Sequence, residues 1–145
     1  MTVTVTLRRR VEQLFDAIAA KDVEAALALC ADDAVFVDPH YPTPRMIGKA
    51  AIAEGLRWAC ASMKTMSFPI TTYCESEDGR HAAVEVATAH VLGTGAPLSF
   101  PQTFVIDTRD GLITRVQAYG PYGPGGIGGL FLGLIRLKRR LSRQR

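Results

Sequence analysis

The sequence predicts an α+β domain, a curved antiparallel sheet with three N-terminal helices packed on one face. Three observations carry this. Ahead of residue 120, apolar residues recur at helical spacing within residues 6–63. Stretches with strand-like patterning then follow one another over residues 66–119. Asp110-Gly111 separates the last two of these, and that dipeptide suits the positive φ angles of a two-residue hairpin turn.

Each element has a local reason. Leu7, Val11, Leu14, Phe15 and Ile18 recur at three- and four-residue steps, so residues 6–20 read as an amphipathic helix. Asp22 suits an N-cap, and Glu24 falls in the first turn of a short second helix that runs to Cys30. Ala34-Val35-Phe36-Val37-Asp38 is a short strand stopped by Pro39. With Pro39, Pro42 and Pro44, residues 39–47 read as a loop. The third helix is expected from Gly48 to Met63, with Ile52, Leu56, Ala59 and Met63 on one stripe and Trp58 beside it. Strands are expected over 66–75, 80–92, 98–107 and 112–119. A glycine- and proline-rich run over 120–129 leads out of the domain. The chain thus divides into a domain over 1–121 and a linker with a basic tail over 122–145.

Composition narrows the function classes. The chain has 145 residues, 48% hydrophobic and 21% charged, which suits one domain with a real core. Its net charge of +3 hides an asymmetry. Arg136, Lys138, Arg139, Arg140, Arg143 and Arg145 lie in the last ten residues with no acid, so residues 1–135 carry eleven cations against fourteen acids, a net −3. An acidic body argues against nucleic acid as a partner. Cys30, Cys60 and Cys74 are odd in number and widely spaced, which suggests neither a disulfide framework nor a zinc site and fits a reducing cytoplasm. The N-terminus alternates threonine and valine and then carries Arg8, Arg9 and Arg10, unlike a secretory signal. No apolar run approaches the ~18 residues that would span a bilayer.

The order Asp22-Val23-Glu24, Ala31-Asp32-Asp33-Ala34, a short strand, Asp38-Pro39, Pro44-Arg45 and Gly48 resembles the nuclear transport factor 2-like superfamily. Within it, the pattern is similar to bacterial ketosteroid isomerases and SnoaL-like polyketide cyclases. Asp110-Gly111-Leu112-Ile113 leading to Ala118-Tyr119-Gly120 matches as well, so the resemblance covers roughly residues 7–121. It implies a cone-shaped sheet around the first helix, an apolar pocket open at one end, and a homodimer. It also implies a small hydrophobic ligand, and isomerase, cyclase, hydratase or epoxide hydrolase chemistry without a cofactor.

Asp38 is the first candidate for that chemistry. It ends an apolar strand, where lost hydration would raise its pKa toward that of a working base. The resemblance implies the same role, a proton shuttle between two carbons. The isomerases it resembles place a tyrosine on the first helix and an acid on the third strand as oxyanion donors; the matching positions here are Leu14 and Gln102. Gln102 can still donate a hydrogen bond. His90 shares a face with Val84, Val86 and Thr88 by the period of two, and an imidazole there could act as acid or base near neutrality. Tyr119 is the candidate hydroxyl donor. Phe15, Phe36, His40, Tyr41, Trp58 and Phe104 are expected around the ligand. Asp38-x-His40 lacks a third ligand, so no metal is expected. A non-catalytic carrier or an interaction module would use the same fold.

Leu130, Leu134, Leu137 and Leu141 make one helical stripe over 130–143, with cations clustered towards the C-terminal end. The tail could pack on the pocket mouth or a partner subunit, lie on an anionic membrane surface, or stay solvated.

Overall fold

The structure, a computed structural model, describes residues 5–120 and 126–142. Helix α1 (Leu7–Ala19) is capped by Thr6, whose hydroxyl accepts from the Arg9 amide at 3.3 Å. Asp22 caps α2 (Val23–Ala28) as expected, accepting from the Ala25 amide at 2.9 Å. Then come β1 (Cys30–Val37), β2 (Arg45–Ile47), α3 (Gly48–Ser62) and β3 (Met63–Thr65). The sheet is completed by β4 (Ile70–Glu75), β5 (His81–Leu92), β6 (Pro97–Arg109) and β7 (Leu112–Tyr119), and α4 (Gly126–Ser142) follows.

The seven strands form one curved sheet in the order β2-β1-β7-β6-β5-β3, with β4 also on β5. The Asp110-Gly111 turn has φ of 53° and 75° at its two residues, the positive pair its sequence calls for. Cys30, expected at the end of the second helix, instead begins β1. Three further expectations are corrected. The sheet is not wholly antiparallel, because β1 runs parallel to β7. No hairpin joins these two strands, so no tight turn forces opposite directions. Residues 45–47, expected in a loop, form β2 against β1. Their amides follow the last proline of the loop and are free to pair, and the Asp38 amide donates to the Pro44 carbonyl at 2.8 Å to close the segment between. Met63, expected in helix, begins β3 against Leu92, and the strand expected from residue 66 starts at Ile70, just after Pro69. The Gly/Pro run over 120–129 lies partly outside the described residues, and α4 begins before residue 130.

One core fills the concave face. Leu7, Val11, Leu14 and Phe15 of α1 cluster with Val84, Val86, Phe104, Ile106, Ile113 and Val116 of the sheet, and Ile52 and Leu56 of α3 close one side. Strand β5 alternates between exposed and buried from His81 to Ala89, so Ala82, Val84, Val86, Thr88 and His90 point inward. Ile106 is fully buried, while Leu134 on α4 is 58% exposed. Ile106→Ala is therefore expected to cost about 2–5 kcal/mol in urea unfolding, and Leu134→Ala no more than about 0.5 kcal/mol. Equal losses at the two positions would contradict this core assignment.

Candidate functional site

The alternation of β1 decides where Asp38 goes. Ala34 and Phe36 point into the core, and the next residue on that face is Asp38, at the strand end. Its side chain is 17% exposed. The chain then turns back on itself, and one oxygen of Asp38 takes the turn's donors. The His40 amide donates to Oδ1 at 2.9 Å, and His40 Nδ1 lies 2.8 Å from the same atom. A carboxylate only accepts, so the ring proton of His40 sits on Nδ1. Oδ2 takes no hydrogen bond from any described residue.

Two adjoining chambers meet at Asp38, Tyr41 and Phe68. The inner one, about 40 Å³, is walled by Leu14, Phe15, Ile18, Phe36, Leu56 and Phe104. The outer one, about 80 Å³, holds the polar groups His40, His90 and Gln102 beside Trp58, Met66 and Phe100. Phe68 forms the partition: it stacks on Phe15 at 5.2 Å and meets His90 edge-on at 5.0 Å. A water-sized sphere needs about 10–15 Å³ on this measure, so the two chambers together admit on the order of ten such spheres.

The two candidate donors are fixed by their neighbours. The Ser67 amide donates to His90 Nδ1 at 3.2 Å. That nitrogen therefore offers its lone pair, and a neutral ring carries its proton on Nε2. Burial pushes the His90 pKa down, more than the Ala89 backbone and the Asp38 carboxylate pull it up. A neutral imidazole with an Nε2–H donor results. Gln102 is 4% exposed, and its Oε1 accepts from the Thr88 hydroxyl at 3.1 Å. With the carbonyl end occupied, the amide nitrogen is left for the chamber. Tyr41 is a further hydroxyl: burial, then the charges of Asp38 and Cys60, push its pKa up, so it stays protonated.

Nine of the ten sequence candidates thus line the two chambers: Asp38, His90, Gln102, Phe15, Phe36, His40, Tyr41, Trp58 and Phe104. Tyr119 does not. It is 54% exposed on the face opposite Ala118, beside Arg115, because the alternation of β7 turns it outward. Among the described residues, the tyrosine that reaches the chambers is Tyr41. The sequence also gave no sign of Ser67 as the group that sets the His90 tautomer, since that contact joins residues 23 positions apart. The Asp38–His40 contact has a local signature, an aspartate bonding the amide two residues on. Among the described residues, no three His, Cys, Asp or Glu side chains gather to hold a metal.

A SnoaL-like domain model matches residues 11–116. The chain belongs to the SnoaL-like family. The SnoaL-like chain is 34% identical over 103 residues to the uncharacterized protein YesE of Bacillus subtilis, covering 68% of this chain and 70% of that one. It is similar to the structure of a candidate polyketide cyclase from Xanthomonas campestris, at 27% identity and a TM-score of 0.70 over 81% of this chain and 90% of that one. A protein of ketosteroid isomerase-like fold from Catenulispora acidiphila, crystallised with trimethylamine, shares 23% identity and a TM-score of 0.69 over 79% and 86% of the two chains. In this SnoaL-like domain the helix α1 position expected to lack a donor is indeed apolar: Leu14 is 1% exposed in the inner wall.

The state of His90 has a measurable consequence. Its folded pKa lies below the ordinary 6.5, so below that pH the unfolded chain binds more protons than the folded one. The stability it contributes is complete above pH about 6.5 and is lost as pH falls through the folded value. The difference in Tm between wild type and His90→Asn is expected to narrow on acidification through this window. A gap that widens would show that His90 is charged in the fold.

Proposed function

We propose that this SnoaL-like domain is an enzyme that moves a proton on a small apolar carbonyl compound, by acid–base chemistry from its own side chains. The observation that supports this is the convergence of one carboxylate, whose Oδ2 is bonded to no described residue, one neutral imidazole N–H and one buried amide on the outer chamber. An apolar site with a few placed polar groups is what a small-molecule pocket requires.

In this reading Asp38 is the base. His40 holds Oδ1 with two N–H groups, which fixes the carboxylate rotamer and aims Oδ2 at the substrate. Oδ2 takes a proton from the carbon next to the carbonyl, and the electron pair moves onto the carbonyl oxygen. His90 Nε2–H and the Gln102 amide stabilise that oxyanion, a placement that gains strength in a site shielded from water. Asp38 then returns the proton to another carbon, or the enolate attacks within the same molecule. The apolar remainder of the substrate lies along Phe68 into the inner chamber. The space available narrows the polycyclic expectation to terpenoid-like or one- to two-ring compounds.

Leu14 favours a second reading, a carrier that only binds. It stands where a catalytic donor is found in the isomerases this sequence resembles, and among the described residues Asp38 is the inner chamber's one ionisable group besides Tyr41.

Both readings meet the same test. One- and two-ring ketones with a β,γ double bond are incubated with the protein in D₂O. Deuterium entry beside the carbonyl is followed by NMR and conjugation by ultraviolet absorbance. Catalysed exchange is expected, with Asp38→Asn losing about 10²–10⁴-fold and His90→Phe about 10²–10³-fold in kcat. Saturable ligand binding with no exchange would favour the carrier. Exchange that survives Asp38→Asn unchanged would reject Asp38 as the base.

A further inference from the structure

Helix α4 carries a face that the fold does not use. Leu130, Leu134, Leu137 and Leu141 follow steps of four, three and four, so they lie on one stripe, and they are 68%, 58%, 54% and 60% exposed. Arg136, Lys138 and Arg140 are exposed as well. Charge is distributed unevenly along the sequence: residues 126–135 hold no charged group, and residues 136–145 hold six cations and no acid. No described helix, α4 included, is long and apolar enough to cross a bilayer. Its uncharged ten residues would rise only about 15 Å, half of a ~30 Å hydrocarbon core.

We propose that α4 docks the protein on the surface of an anionic lipid bilayer. The leucine stripe enters the acyl boundary and the cations reach the headgroup phosphates. Charge complementarity selects this occupant. Six cations with no acid among them call for a dense negative surface, and the body of the protein carries a net charge of only −3. The helix also lacks local support. Gly126, Gly128, Gly129 and Gly133 are poor helix formers, and four of them in 17 residues leave the helix weak in water without a surface to pack on. A bilayer supplies the surface and the countercharge together. This inference is independent of the chemistry proposed for the pocket.

The test is co-sedimentation of the full chain with vesicles of phosphatidylcholine alone and of phosphatidylcholine mixed with phosphatidylglycerol. Binding to the mixed vesicles is expected, with a gain of helical circular dichroism and steep loss on adding salt. Leu134→Glu with Leu137→Glu is expected to abolish binding. Arg136→Gln with Arg140→Gln is expected to weaken it roughly 25-fold, ~5-fold for each cation. Both variants keep the thermal unfolding of the body, because Leu134, Arg136, Leu137 and Arg140 are all exposed. The proposal is overturned if the chain stays in the supernatant with anionic vesicles at low salt. It is overturned equally if the leucine variant still binds them, or if that variant instead dissociates a multimer in size-exclusion chromatography, which would place the stripe on a second copy.

Discussion

The parallel pairing of β1 with β7 is the constraint on which the site depends. Phe36 lies beside Val116 and Val37 beside Gln117 in that register, and the inward face of β1 continues to Asp38 at the strand end. Strand β2 covers the other edge of β1, and the Asp38 amide is held by the Pro44 carbonyl. The carboxylate is therefore anchored from the strand before it and from the loop after it. Across the cone, the β5–β6 ladder sets Val86 opposite Gln102 and His90 opposite Leu98, which brings both donors to the chamber Asp38 lines. Shifting β1 by one residue would turn Asp38 outward and leave the donors without a base.

Burial then gives each polar group one role. Desolvation keeps His90 neutral, and the Ser67 amide decides which nitrogen holds the proton. Thr88 occupies the carbonyl of Gln102; a buried amide left without that partner would cost about 1–3 kcal/mol. The same bond leaves the amide nitrogen as the end available to a ligand. Among the described residues that line the chambers, Asp38 is the carboxylate, with Oδ1 held by His40 and Oδ2 bonded to no described residue. Packing that any core requires thus also sorts one acceptor from two donors.

Much of this was legible in the sequence where the signal is local. The α1 stripe, the Asp22 cap and the Asp110-Gly111 turn depend on neighbours within a few residues, and each is as expected. The inward set from Val84 to His90 was readable because β5 alternates without interruption. What depends on distant pairing was not readable. The direction of β1 and the pairing of residues 45–47 are fixed by partner strands. Tyr119 shows how such limits reach the site. The β6–β7 register shifts at Asp107/Thr108, and the residues buried on β7 are Ile113, Val116 and Ala118. That alternation sends Tyr119 outward, and among the described tyrosines it is Tyr41, in the loop after β1, that lines the chambers.

The most direct test is a crystal structure with a small phenol bound, since its oxygen mimics the charge of an enolate. The proposed acid–base arrangement predicts a phenol oxygen within hydrogen-bond distance of both His90 Nε2 and the Gln102 amide nitrogen. The ring should lie along Phe68, with Asp38 Oδ2 over its carbon atoms. A phenol oxygen bonded to Asp38 with His90 turned away, or chambers that take no phenol, would contradict it.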